Sequence, residues 1–170
     1  ESCAHAIIGY LKLRLGKGVL YYSAVEHPAV VEAAKFIEEC GLGHAYQLEV
    51  DRGGQIDQEQ LYAGLKKHPG ALVSLMTANN ETGVMFPISE LAPRIKDLGG
   101  VLHSDAVQAT GKEPIDFSSS QIDFLSLSAH KFGGPKGVGA LVIREGTSWG
   151  PVVRGGGQEN QRRGGTEAVS

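Results

Sequence analysis

The stretch Asp-Phe-Leu-Ser-Leu-Ser-Ala-His-Lys-Phe-Gly-Gly-Pro-Lys-Gly, residues 123–137, contains the pattern that decides the fold. Its first half is a short apolar run, typical of a strand buried in a sheet, and its second half is a glycine-rich turn. Lys131 lies where the run opens into the turn. A lysine there can be partly desolvated, which makes its amine available as a nucleophile toward a carbonyl. It can equally be a solvated turn residue.

Helices and apolar strands alternate along the whole chain. We predict helices at 3–15, 28–40, 57–67 and 88–98, and strands at 19–25, 45–50, 71–76, 101–104, 123–128 and 138–143. Pro28 and Gly41 delimit the second helix, and Asp57 with Gln60 forms a capping pair for the third. Apolar strands separated by helices favour a mostly parallel sheet covered on both faces. The predicted fold is a single α/β domain, a three-layer sandwich.

Composition argues against several classes of function. The 170 residues are 41% hydrophobic, enough for a core, and carry a net charge of −3, which gives no reason to expect nucleic acid or an anionic membrane as partner. The apolar runs are too short to span a bilayer, and no secretory signal pattern opens the chain. The histidines show no metal-ligand spacing, and Cys3 and Cys40 provide no disulfide framework, so we interpret both cysteines as structural. We expect no metal and a reducing, cytoplasmic setting.

A second strand end brings a carboxylate toward Lys131. His-Ser-Asp-Ala at 103–106 follows the stretch 100–102, so we expect Asp105 at the carboxyl end of a strand, the edge where open α/β sheets bind ligands. A carboxylate and a lysine on two nearby strand ends can face one cofactor, the carboxylate pairing with a pyridinium nitrogen and the lysine forming an imine with its aldehyde. Asp105 can instead cap a following helix. The pair indicates pyridoxal 5'-phosphate.

Five segments of the chain resemble the cysteine desulfurases of the class V aminotransferase superfamily, including the nitrogen-fixation type. They are 26–30, 78–83, 103–108, 128–139 and 155–166, and they occur in the family's order across nearly the whole chain. The resemblance implies the central part of the large domain of a fold-type I pyridoxal phosphate enzyme. It also implies that residues 1–170 are a fragment of that domain, without the amino-terminal arm and the carboxy-terminal small domain.

The resemblance assigns roles around the cofactor ring. Asp105 would hold the pyridine nitrogen protonated, and His27 would lie over the ring face, where it could move protons. Asn80 would donate to the substrate carboxylate or to the phenolic oxygen of the cofactor, and Gln108 to that phenolic oxygen. Taken alone, the histidine can be a turn residue and either amide can satisfy loop backbone groups.

The resemblance also assigns a phosphate site. Ser128 and His130, which flank Lys131, would bind the cofactor phosphate, since a hydroxyl and an imidazole N–H are suitable donors. Thr166 would do the same from the neighbouring subunit of a homodimer. The glycines after Phe132 do not form a nucleotide phosphate loop, because the Gly-x4-Gly-Lys-Ser/Thr pattern is absent from the sequence.

The implied reaction takes sulfur from L-cysteine, releases L-alanine and leaves an enzyme persulfide that feeds an iron–sulfur scaffold or another acceptor protein. Lys131 and His27 would exchange protons. The family's persulfide cysteine, its carboxylate-binding arginine and its Gly-Ala-Thr phosphate turn have no counterpart in this chain, so we expect the isolated chain to be inactive. The alternatives are a selenocysteine lyase or another class V lyase or aminotransferase, and a catalytically silent binding or assembly module.

Overall fold

In a computed structural model, which describes residues 1–167, a six-stranded sheet lies between two layers of helices. The strands are β1 (Gly18–Ser23), β2 (Gly43–Leu48), β3 (Leu72–Ser74), β4 (Val101–Asp105), β5 (Phe124–Ser128) and β6 (Gly139–Ile143). The α-helices are α1 (Ser2–Leu11), α2 (Pro28–Glu39), α3 (Gln58–Lys67), α4 (Ile88–Asp97) and the short α5 (Gln158–Gln161). The sheet order is β2-β1-β3-β4-β5-β6, parallel except for β6, which runs antiparallel to β5.

The predicted three-layer sandwich with a mostly parallel sheet is confirmed. The exception, β6, follows from its connection: the segment between β5 and β6 contains only a 3-10 turn and a glycine-rich loop, which is too short for a parallel crossover. Among residues 1–167 we find no helix with the length and apolar character needed to cross a membrane.

Alternation along the central strands sends successive side chains into two separate cores. Leu72 and Phe124 pack with α1 and α2, whereas the next residues, Val73 and Leu125, pack with α3 and α4. Side chains of a strand alternate between the two faces of a sheet, so strands covered on both faces read as continuous apolar runs. This explains why residues 71–76 were recognisable as a buried strand: all six are buried.

The first helix is shorter than predicted. It ends at Leu11 and continues as a 3-10 turn, Lys12–Arg14, after which Leu15 takes the left-handed conformation with φ 51°. Leu13 and Leu15 are exposed, the latter by 87%, and so lie outside the buried face that stabilises the helix. The apolar pattern predicted too long a helix because these leucines are apolar but do not belong to the core.

The predicted capping pair of the third helix forms only in part. Asp57 Oδ1 accepts a hydrogen bond from Gln60 N at 3.0 Å, as an N-cap should. The Gln60 side chain does not return the bond, because its Oε1 accepts from Glu49 N at 3.3 Å. The same residue thereby fastens α3 to the segment that follows β2.

Candidate active site

Four adjacent strand ends bring the candidate residues to one edge of the sheet. Strands β1, β3, β4 and β5 lie side by side and run in the same direction. His27 follows β1, Asn80 follows β3, Asp105 ends β4 and Lys131 follows β5. Because β2 lies outside β1, the strand order reverses between β1 and β3, and such a switch point is where α/β sheets bind ligands. The prediction that Asp105 ends a strand is confirmed.

Hydrogen bonds beyond the strands hold this edge together. Thr77 N donates to Asp105 O at 2.9 Å, which extends the pairing of β3 and β4 past the end of β3. Met76 N donates to Glu26 Oε1 at 2.7 Å, which joins the end of β3 to the loop that carries His27. The loops after β1, β3 and β4 therefore form one connected layer at the switch point.

The Asp105 carboxylate is 7% exposed and already has two donors. Val107 N donates to its Oδ1 at 2.9 Å, and the thiol of Cys3 donates to its Oδ2 at 3.4 Å. The residues after Asp105 form turns, so the alternative role as a helix cap is not realised. A carboxylate with about four lone-pair sites, two of them occupied, can still accept from a ligand.

Cys3 lies in a helix, as predicted, and its contact with Asp105 adds a partner that the sequence analysis did not anticipate. Cys3 lies in the first turn of α1, is 4% exposed and reaches across the sheet to the end of β4. Burial, followed by the nearby Asp105 charge, raises the pKa of Cys3 to about 12. The thiol is therefore a proton donor and not a nucleophile. Cys40 is exposed at the end of α2.

Lys131 closes a 3-10 turn, Ala129–Lys131, directly after β5. Gly134 N donates a hydrogen bond to Ala129 O at 2.9 Å. A Cβ on Gly134 would lie 2.6 Å from Ala129 Cβ, so this tight turn requires glycine. The Lys131 side chain is exposed. Of the two alternatives stated for this lysine, the solvated turn residue is the one that residues 1–167 show.

Ser128 and His130 form a pair beside Lys131. Ser128 Oγ lies 2.8 Å from His130 Nδ1. When the hydroxyl donates to Nδ1, the imidazole proton is on Nε2, which can donate to an anion. The pair thus has the chemistry of the predicted phosphate site.

His27 is the N-cap of α2. Its Nδ1 accepts from Ala29 N at 3.1 Å, and the side chain is exposed. This bond places the proton of the neutral ring on Nε2. The turn role and the proton-transfer role predicted for His27 use different nitrogens and are compatible.

Asn80 and Gln108 line one open cleft of about 470 Å³, between the loop after β3 and the turn after β4. Asn80 is exposed and Gln108 is half-buried. A hollow of about 500 Å³ on α3 and α4 is lined by helix surface residues and contains none of the candidate side chains. The cleft at the carboxyl ends of β3 and β4 is therefore the relevant one.

Asn79 was not selected from the sequence. It makes the hydrogen bonds to loop backbone groups that the sequence analysis considered for Asn80. Its Oδ1 accepts from Glu81 N at 2.9 Å and from Thr82 N at 2.8 Å, and its Nδ2 donates to Val25 O at 3.0 Å. The sequence signal for this role was the pair of adjacent asparagines. The amide of Asn79 organises the loop, and that of Asn80 is turned to solvent.

Thr166 is exposed in the carboxy-terminal segment. Within that segment Arg163 Nε and Nη2 donate to the Glu1 carboxylate at 2.8 and 3.1 Å, which places the segment beside the start of α1. The assigned contact of Thr166 with a phosphate in a neighbouring subunit stays a prediction. Within residues 1–167 no cluster of three or more His, Cys, Asp or Glu side chains could hold a metal ion.

Comparisons with known sequences identify relatives of the chain. Residues 1–168 match the family model for aminotransferase class-V. The chain is 46% identical over 167 residues to a cysteine desulfurase of Sinorhizobium fredii, covering 98% of this chain and 43% of that protein. It is also 46% identical over 167 residues to the cysteine desulfurase NifS of Azotobacter vinelandii, covering 98% and 41%.

Solved structures give the same result. The structure of SspA in complex with cysteine superposes with a TM-score of 0.89 at 34% identity, over 98% of this chain and 48% of that one. The structure of DndA from Streptomyces lividans gives 0.86 at 39% identity, over 97% and 48%. The chain thus spans less than half the length of each of these proteins. On its fold, its ordered motifs and these matches, the chain belongs to the aminotransferase class-V family.

Proposed function

We propose that the protein carrying this chain is a pyridoxal phosphate-dependent cysteine desulfurase, which converts L-cysteine to L-alanine and an enzyme persulfide. The observation that carries the proposal is the position of Lys131 and Asp105 after adjacent parallel strands, β5 and β4, at the carboxyl edge of the sheet, where open α/β sheets bind ligands. The 46% identity to cysteine desulfurases over 98% of the chain supports it.

The donor set fits pyridoxal 5'-phosphate. Asp105 offers a buried carboxylate with free lone pairs for a pyridinium nitrogen, and Lys131 offers an accessible primary amine for the aldehyde. The Ser128–His130 pair, with the hydroxyl donating to Nδ1, offers the Nε2–H of His130 as a donor for a phosphate. When bound, this cofactor supplies a ring that accepts the electron pair released at the substrate carbon.

The side chains of the site have separate roles in the proposed reaction. The Asp105 carboxylate holds a proton on the ring nitrogen, since a neighbouring negative charge favours the protonated form. Lys131 Nζ would hold the aldehyde, and its amine would move a proton to or from the substrate carbon. His27 Nε2 moves a second proton from the other side of the switch point, and Asn80 with Gln108 orients polar groups from the cleft.

We further propose that residues 1–170 are the central part of the large domain of a longer cytoplasmic enzyme. The chain covers 43% and 41% of the two relatives described above, which leaves room for a small domain that carries the persulfide cysteine and the carboxylate-binding arginine. A homodimer would bring Thr166 to the neighbouring phosphate site. The sulfur would pass to an iron–sulfur scaffold or another acceptor protein.

The test is an assay of alanine and sulfide in the full-length protein, with L-cysteine and L-selenocysteine as competing substrates. Lys131→Arg keeps the charge but cannot form the imine as the native amine does, and we expect it to abolish alanine formation. Lys136→Arg, in the same exposed loop, is the matched control and should leave it unchanged. A preference for selenocysteine would identify the lyase alternative, and normal turnover by Lys131→Arg would refute the assignment.

A further inference from the structure

A row of polar side chains crosses the sheet beneath α1, where an apolar core is expected. Ser74 on β3, His103 on β4 and Ser126 on β5 are all fully buried. Ser74 Oγ lies 2.8 Å from His103 Nδ1, and Ser126 Oγ lies 2.9 Å from His103 Nε2. Buried polar groups are costly unless they are paired, and here every member is paired.

Cys3 connects this row to the candidate site. Its Sγ donates to Asp105 Oδ2 at 3.4 Å, and the Ser126 hydroxyl is near enough to lower the pKa of Cys3 slightly, against the larger effect of burial. Cys3 comes from α1, whereas the other members lie on strands. The packing of one helix across the strand ends is therefore what joins the buried row to the carboxylate.

One assignment of the protons satisfies every link. Burial lowers the pKa of His103 to about 4, so its ring is neutral at pH 7 and carries one proton. With that proton on Nε2, Ser74 donates to His103 and His103 donates to Ser126, while Cys3 donates to Asp105.

The other acid that faces Asp105 is Glu26. It is buried, its Oε1 accepts from Met76 N, and its Oε2 has no partner among residues 1–167. Burial above all, and then the Asp105 charge, raise the pKa of Glu26 well above its ordinary value. Among residues 1–167, Asp105 thus accepts one side-chain hydrogen bond, from Cys3, beside the backbone bond from Val107 N.

We propose that Cys3 is a positioning residue, whose buried thiol donates to Asp105 beside the Ser74–His103–Ser126 row and so stabilises the ionised carboxylate in the orientation that holds a cofactor ring nitrogen. The row and the Cys3–Asp105 contact stand on the described structure, whereas the ligand named here rests on the proposed function. Serine at position 3 could replace the thiol as a donor, whereas alanine could not.

The first experiment needs no cofactor. In cofactor-free protein, the infrared S–H stretching band of Cys3 is isolated as the difference between wild type and Cys3→Ala, and that of the exposed Cys40 as the difference between wild type and Cys40→Ala. We expect the Cys3 band at the lower frequency, and we expect Asp105→Asn to move it upward, because a neutral amide oxygen is a weaker acceptor than a carboxylate. Coincident Cys3 and Cys40 bands would overturn the proposal.

The second experiment measures the protonation of the cofactor ring nitrogen. In full-length protein reconstituted with ¹⁵N-labelled pyridoxal phosphate, we expect the ring-nitrogen resonance of Cys3→Ser to match wild type and that of Cys3→Ala to move toward the unprotonated position. Turnover of L-cysteine should fall roughly tenfold in Cys3→Ala, in keeping with one hydrogen bond to a charged group. Circular dichroism checks that each variant is folded. Cys40→Ala is the matched control for replacing a cysteine by alanine.

The outcomes separate the two claims. A ring nitrogen that is unchanged in a folded Cys3→Ala protein would overturn the positioning role and leave the proposed function intact. A protein that shows the Asp105-dependent Cys3 band but binds no pyridoxal phosphate would overturn the proposed function together with the ligand named here.

Discussion

Asp105 is the residue on which the proposed chemistry depends most, because its carboxylate accepts from both Val107 N and Cys3 Sγ at the end of β4. Asp105→Asn preserves the shape and removes the charge. We expect it to cost catalysis about 3 kcal/mol or more in transition-state stabilisation, the size of an active-site electrostatic contact. Steady-state kinetics with L-cysteine and urea unfolding of the same variant measure the two effects. Near-normal turnover would refute the role of Asp105.

His103 makes the stability of the fold sensitive to acid. Its folded pKa of about 4 lies below the ordinary value of 6.5, so as the pH falls through this interval the unfolded chain takes up the proton first. Stability is therefore lost between pH 6.5 and 4, by roughly 3 kcal/mol in total. His103→Asn should remove this component, and urea unfolding of both proteins across the interval measures the difference. Parallel pH profiles of wild type and variant would contradict it.

At the residue scale, the sequence was sufficient to place the candidate residues at strand ends, but not to predict their contacts or their exposure to solvent. Asp105 and Lys131 could be placed at strand ends because an apolar run followed by polar or glycine residues marks such an end. The contact of Cys3 with Asp105 could not be predicted, since it depends on how α1 crosses residues about a hundred positions away in the chain. The exposure of Lys131 depends in the same way on what covers its turn.

At the element scale, α1 is held by a segment from the other end of the chain. Trp149 Nε1 donates to His5 O at 2.7 Å, and Gly150 N donates to Gly9 O at 3.0 Å. A Cβ on Gly9 would collide with the Trp149 indole and lie 2.7 Å from Gly150 O. Glycine in the middle of this helix is therefore required by close packing.

Gly9→Ala tests this packing. Alanine improves helix propensity by about 1 kcal/mol, but displacing the indole costs about 1–3 kcal/mol, so we expect a net loss of stability. Trp149 is the single tryptophan of the 170 residues, and its fluorescence should shift to the red as the ring becomes exposed. Gly157→Ala is the control, since a Cβ there meets nothing within 4 Å and its φ is −79°. An unchanged emission spectrum in Gly9→Ala would contradict the account.

Most elements could be predicted, whereas their arrangement in the sheet could not. The buried run at 123–128 and the capped helices α2 and α3 have clear local signals and form close to the predicted bounds, whereas only Leu72–Ser74 of the run predicted at 71–76 forms a strand. Strand order has no such signal, because periodicity identifies a buried strand without naming its neighbours. The extent of α1 was missed for a tertiary reason, the exposure of Leu13 and Leu15.

At the scale of the whole molecule, the 170 residues contain the proposed cofactor site but no usable sulfur nucleophile. Cys3 is buried, with its pKa raised to about 12, and Cys40 lies at the far end of α2 from the capping His27. We therefore expect the isolated chain to release no sulfide from L-cysteine in the presence of pyridoxal phosphate. Sulfide above the cofactor-only background, abolished by Cys3→Ala or Cys40→Ala, would show that the chain contains its own sulfur site.

The central claim is that Lys131 forms the covalent bond to the cofactor, and borohydride reduction tests it most directly. The full-length protein is loaded with pyridoxal phosphate, reduced, digested and mapped by mass spectrometry. The account predicts that the label is found on Lys131, is lost in Lys131→Arg and is retained in Lys136→Arg. A label on Lys136 or Lys112 in the wild-type protein would contradict it.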